Sequence, residues 1–106
     1  MRKNLKGYFS SNESYSPRNE REKFLVESFS KLKNKEEITS FLRDLLTLPE
    51  IVEFANRLEI ARLLLKGGSY KKIAKRTGVS TTTVTRVAHW LFKGCGGYYN
   101  VLKRIK

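Results

Sequence analysis

The segment from Ser69 to Leu91, SYKKIAKRTGVSTTTVTRVAHWL, leaves the chain few ways to fold. Ile73 and Ala74 stand on one side of Gly78, and Val84, Val87, Ala88 and Leu91 on the other, at spacings of one and three. That is the period of helices and not of strands. Counting Tyr70 as the first position of a helix-turn-helix puts Ile73 and Ala74 fourth and fifth, Gly78 ninth, Val79 tenth, Val84 fifteenth and Val87 eighteenth. Two helices that cross at a wide angle need a small side chain where they touch, and Ala74 supplies it. The turn needs one residue at positive φ, which glycine adopts without a steric penalty. Ile73, Val79, Val84 and Val87 fill the angle between the helices. Thr77 is more polar than an inner position usually is.

The rest of the chain follows the same period. Residues 1–18 (MRKNLKGYFSSNESYSPR) read as a flexible arm, rich in Ser, Asn and Lys. From Asn19 a first helix is marked by Phe24, Leu25, Phe29 and Leu32. Asn34 with Glu37 forms a capping box for a second, with Ile38, Phe41, Leu42, Leu45 and Leu46 on one face. Thr47 with Glu50 opens a third, from about Pro49 to Lys66, with Pro49 in the first turn, where its missing N–H costs nothing. Apolar residues nearly encircle this third helix, so it should be buried on more than one side. Gly67-Gly68 ends it. Ser69 and Ser80 cap the two helices of the central segment. Gly94 to Gly97 reads as a loop, and a last helix from Tyr98 to about Arg104 offers Tyr98, Val101, Leu102 and Ile105 to the body. The expected organisation is an arm over 1–18 and one helix-turn-helix domain over 19–106.

Charge is placed unevenly. The chain has 106 residues and a net charge of +12, yet every Asp and Glu lies at or before Glu59. Residues 60–106 hold eleven Lys or Arg and no acid. Such asymmetry points to a polyanion, nucleic acid before an acidic membrane. On the second helix of the central segment Thr81, Thr82, Thr85, Arg86 and His89 lie away from the apolar face. Threonine can hydrogen-bond several bases and pack its methyl on a thymine methyl, and Arg86 can read guanine or hold a phosphate. Lys71, Lys72, Lys75 and Arg76 on the preceding helix suit the phosphate backbone. The helix starts at Ser69 and Ser80 offer backbone N–H groups to phosphate. The expected partner is double-stranded DNA.

The stretch LLTLPEIVEFANRLEIARLLLKGGSYKKIAKRTGVSTTTVTRV resembles the Trp repressor family, most closely its YerC/YecD-like branch. The resemblance covers about residues 44–104 closely and the upstream helices by pattern. It implies an all-α fold: a helical bundle with a helix-turn-helix, assembled as an intertwined homodimer that regulates transcription from a palindromic operator. It also implies a pocket for tryptophan as co-repressor. Arg57 matches the family's arginine over the indole ring, and Arg86 the one that holds the ligand carboxylate. The next position should be glycine and is Val87; a small serine four residues after Arg86 is replaced by Trp90. The loop before Arg57 is one residue short. Free tryptophan is therefore not expected as cofactor. Trp90 either fills the vacated pocket or is a plain core aromatic, and a different small ligand stays open.

An enzyme is not expected. The basic half offers no carboxylate; its one histidine is His89 and its one cysteine is Cys95. No nucleophile–base pair or metal-ligand spacing stands out. The Gly94–Gly97 run lacks the preceding strand and following Lys-Ser/Thr of a phosphate loop. No apolar run suggests a signal peptide or membrane span, so a cytoplasmic, nucleoid-associated protein is expected. The competing reading is a nonspecific nucleic-acid-binding or packaging protein, because few of the base-facing candidates are long bidentate readers.

Overall fold

The computed structural model describes residues 13–105, all helix and connecting loop. The order is α1 (Glu20–Ser30), α2 (Lys35–Leu45), α3 (Leu48–Leu65), α4 (Tyr70–Thr77), α5 (Thr81–Lys93) and α6 (Gly97–Leu102). These residues form two compact units, Tyr15–Glu53 on the one hand and residues 13–14 with 54–105 on the other, with α3 contributing its first turns to one and the remainder to the other. The first twelve residues of the expected arm lie outside the described part. At its far end, the Tyr15 hydroxyl donates to Glu22 Oε1 at 2.6 Å and the Arg18 guanidinium meets Glu22 Oε2 at 2.7 Å.

In the Tyr15–Glu53 unit the helix starts are chemically fixed. Asn19 Oδ1 accepts from the Glu22 N–H and Asn34 Oδ1 from the Glu37 N–H, both at 2.9 Å. A cap of this kind contributes about 1 kcal/mol. The Glu37 carboxylate reaches one residue further back than the expected box, to the Lys33 N–H at 3.0 Å. Thr47 and Glu50 form the full reciprocal box: the Thr47 N–H donates to Glu50 Oε1 at 2.9 Å and the Glu50 N–H to Thr47 Oγ1 at 3.3 Å. Phe29 meets Phe41 edge-on, with centroids 5.4 Å apart. Leu32, expected on α1, lies beyond its end. No residue of α1 or α2 is buried.

The core lies in the other unit. Ile60, Ala61 and Leu64 of α3, Ile73 and Ala74 of α4, and Val84, Val87, Ala88 and Leu91 of α5 pack into one apolar cluster. Burying an Ile, Val or Leu contributes about 1.5–3 kcal/mol each. Ala74 and Ala88 let the two helices approach. No polar side chain is buried among the described residues. Thr77, half-buried, turns its hydroxyl onto the Ile73 carbonyl at 2.7 Å.

Two expectations are corrected here, on the last helix and on Gly97, and a third, on α3, is left open by the single chain. The third helix, expected to be buried on more than one side, leaves Val52, Phe54 and Leu58 exposed in the single chain, so a full cover would have to come from another chain. Of the last-helix residues, Tyr98 and Leu102 pack on the core while Val101 and Ile105 remain exposed. Gly97 belongs to α6 and not to the loop, since Gly96 takes φ 84° and its carbonyl accepts the Asn100 N–H at 3.0 Å.

Candidate nucleic-acid interface

Two glycines set the geometry of the α3–α4–α5 segment. At the end of α3 the Gly68 N–H donates to the Leu63 carbonyl and the Gly67 N–H to the Leu64 carbonyl, at 3.1 and 2.9 Å. With Gly67 at φ 87°, this is a Schellman termination. At the end of α4, Gly78 takes φ 78° and its N–H closes on the Ala74 carbonyl at 2.9 Å. Three residues later α5 begins. This tight turn seats α5 across α4, with Val79 packed against the core.

Each helix start is capped by serine. Ser69 Oγ accepts the Lys72 N–H and Ser80 Oγ accepts the Thr83 N–H, both at 3.2 Å. The amides ahead of the capped one are free of intrahelical partners, and with the helix dipole they favour an anion. Thr83 is tied into the cap, its hydroxyl 3.1 Å from Ser80 Oγ.

The outer surface of this pair carries the expected residues together. Lys71, Lys72, Lys75 and Arg76 of α4 and Thr81, Thr82, Thr85, Arg86 and His89 of α5 are all exposed. The His89 ring meets Trp90 edge-on at 5.3 Å. Ion pairs among the described residues lie outside α4 and α5, so the lysines on this surface keep their charge for a partner. Residues 54–105 carry eleven Lys or Arg against Glu59 alone. The arrangement offers cations on one helix, short hydrogen-bonding side chains on the next, and two helix starts with exposed serine caps.

The pocket residues behave differently from one another. Val87 is buried in the core. Trp90 is 49% exposed, so within the chain it is not a core aromatic. Its backbone and ring flank Gly94, which is buried and leaves no room for a Cβ. The Arg57 guanidinium lies over the Phe54 ring, 5.4 Å from the centroid. Burial pushes the Tyr98 hydroxyl up, and the positive charge of Arg57 partly offsets this. Arg86 is exposed with the groove candidates.

A contact not foreseen from the sequence involves Glu59. Its carboxylate chelates Arg62, with Oε1 at 3.0 Å from Nε and Oε2 at 2.6 Å from Nη2. The Arg62 hydrogen bonds hold the Glu59 carboxyl below the usual carboxylate range, with further help from the charges of Arg76 and Lys66. The i, i+3 spacing of Glu59 and Arg62 was a readable signal; the nearness of Arg76, on another helix, was not.

No helix among the described residues is long and apolar enough to cross a membrane. Nor do three or more His, Cys, Asp or Glu side chains gather there as metal ligands would. Cys95 is exposed on the loop after α5.

The chain is similar to known proteins in sequence and fold. The profile of the family described as Trp repressor protein matches residues 20–106. The uncharacterized protein YerC of Bacillus subtilis (strain 168) is 44% identical over 82 residues, which cover 77% of this chain and 79% of that protein. The crystal structure of a TrpR-like protein from Eubacterium eligens ATCC 27750 superimposes with a TM-score of 0.77 at 33% identity, over 83% of this chain and 91% of that one. A Staphylococcus aureus protein, described as a candidate Trp repressor, superimposes with a TM-score of 0.76 at 33% identity, over 83% and 88%.

Proposed function

Because the chain belongs to the Trp repressor family, in its YerC branch, we propose that it is a sequence-specific DNA-binding transcriptional regulator, a repressor in the cytoplasm, acting on a palindromic operator. Trp repressors are a family of transcription regulators and not of enzymes, and the family implies DNA binding and dimers. The observation that carries the reading is the α4–α5 surface: exposed Lys71, Lys72, Lys75 and Arg76 beside exposed Thr81, Thr82, Thr85 and Arg86, about a turn closed by Gly78. In this reading α5 enters the major groove and α4 lies along the phosphates, the docking for which the Trp repressor is itself a type example. Phosphate contacts fix register and base contacts select sequence. Residues 19–106 act as one DNA-binding domain.

The reading includes an intertwined homodimer. Phe24, Leu25, Val26 and Phe29 of α1, Ile38 and Leu45 of α2, and Leu48, Val52, Phe54 and Leu58 of α3 are all exposed in the single chain, Phe24 by 72%. So much apolar surface on three successive helices calls for a cover. A second copy supplies it and sets two reading helices about 34 Å apart.

The reading excludes tryptophan as co-repressor. Val87 stands where the family's ligand pocket has glycine, and it is committed to the core. Trp90 adds bulk where the family has serine.

One observation favours a nonspecific binder instead. The base-facing candidates on α5 are mostly threonines, and the Thr85 hydroxyl already donates within its own helix. The deciding experiment is selection of bound fragments from random DNA at about 0.15 M salt without added ligand. Enrichment of a two-fold symmetric site is the expected result. Binding without enrichment, lost uniformly as salt rises, would replace this reading with the packaging one.

A further inference from the structure

We infer that Glu59 is a positioning residue that withholds Arg62 from phosphate and so limits the sequence-independent affinity of the α4–α5 surface for DNA; this rests on the function proposed above. Glu59 is the last acid in the chain and the one acid among residues 54–105, which hold eleven Lys or Arg. Its two oxygens occupy two N–H donors on one side of the Arg62 fork, at 3.0 and 2.6 Å. Neither side chain is lost from water: Arg62 keeps 39% of its side-chain surface and Glu59 35%. The pair therefore does little to hold the fold, since exposed ion pairs contribute little to stability. What it changes is charge. A lysine or arginine strengthens DNA binding by displacing counterions condensed on the phosphates. An arginine already neutralised by a carboxylate displaces none.

The placement makes this matter. The Glu59 carboxylate feels Arg76 of α4 as well as Lys66, so it lies within electrostatic reach of the residues that flank the backbone-binding surface. A phosphate approaching Arg62 must displace a two-pronged partner already in place and meets the repulsion of that carboxylate. Lys71, Lys72 and Lys75 meet no such competitor. The basic half is thus divided into cations offered to DNA and one cation held back. Weakening the interactions that all sequences share leaves a larger part of the binding to the base-reading threonines.

The test compares full-length wild type with Glu59→Gln on a random-sequence duplex, reading log K against log salt between about 50 and 200 mM. Glu59→Gln keeps size and helix propensity, and circular dichroism checks that the fold is kept. The expected result is tighter binding at low salt and a slope steeper by about one unit, as for one added phosphate contact. Glu27→Gln removes the same charge from the Lys31 pair on α1 and is expected to leave the slope unchanged. If Glu59→Gln unfolds, Arg62→Lys keeps the charge but gives up the bidentate grip, and a steeper slope is expected there too. An unchanged slope in the folded variant, or an equal rise with Glu27→Gln, overturns the inference and leaves the function standing. Wild type without salt-dependent binding to any duplex overturns the proposed function itself, and this inference with it.

Discussion

Thr85 donates its hydroxyl to the carbonyl of Thr81, one turn back along α5, at 2.9 Å. The donor is spent inside the helix, and what remains toward solvent is a methyl group and an acceptor. Thr85 should therefore recognise a base chiefly by packing on a thymine methyl. Thr85→Val is expected to preserve affinity for the selected site. Thr85→Ser should weaken it by about 0.8 kcal/mol, the value of one methyl group and about a fourfold loss. Titration of both variants on the selected operator decides it; the reverse order would mean that the hydroxyl reads the base.

Lys72 and Lys75 stand on the exposed side of α4 with their charges unspent. Replacing either by Ala should weaken binding to every sequence alike. It should also flatten the salt slope by about 0.9 unit for each phosphate that is no longer neutralised. Anisotropy titrations over a salt series measure this directly. A change in sequence preference without a change in slope would move these residues from the backbone to the bases.

The glycines make different demands on stability. Gly78 has open space around a notional Cβ, but its φ of 78° strains any other residue. Gly78→Ala should cost about 1–2 kcal/mol. Gly94→Ala should cost more, because a Cβ there would run into the Trp90 carbonyl oxygen and lie 3.0 Å from the indole ring. Gly97 is helical, with open space at Cβ, so Gly97→Ala should gain about 0.4–1 kcal/mol. Thermal melts at fixed protein concentration rank the three.

Glu22 gives the start of α1 a pH response. The Arg18 side chain most of all, then the Tyr15 hydroxyl, hold its carboxyl at about 2. A carboxyl lowered on folding stabilises the folded chain above its unfolded pKa of about 4.3. That contribution fades as pH falls through the window down to about 2. Carboxyl NMR titration should find Glu22 in this low range, with Arg18→Gln raising it further than Tyr15→Phe does.

Tryptophan should give no saturable heat when titrated into the protein. Val87 is buried in the same apolar cluster as Val84, Ala88 and Leu91, so a ligand ring at that position would have to displace core. Micromolar binding by calorimetry would restore the co-repressor to this branch of the family.

The helices and their starts were legible because their causes are local. A capping serine and its amide stand three residues apart, and Gly78 announces a positive φ by being glycine. The exposed grouping of Lys71 to Arg76 with Thr81 to Arg86 followed from helical period alone. What escaped depended on distance in sequence. The apolar encirclement of α3 said that it needs more cover than one layer gives, but not that Val52 and Leu58 in particular would lie uncovered in the single chain. Trp90 looked like core by type, yet is half exposed beside Gly94. Glu59 could be paired with Arg62 by spacing, but its reach to Arg76 exists only once α3 and α4 are folded together.

Every buried side chain in the described cluster falls between Ile60 and Leu91. A nucleus drawn from one short run of chain closes small loops, so little entropy is lost before its contacts form. Helical units with such local contacts belong to the class that folds in microseconds to milliseconds. The reading head can therefore assemble early, soon after its residues are available, whereas covering Phe24, Val52 and their neighbours is a bimolecular event whose rate follows concentration. At low copy number the slow event in reaching a DNA-competent form would be the encounter of two chains, each with its head already folded.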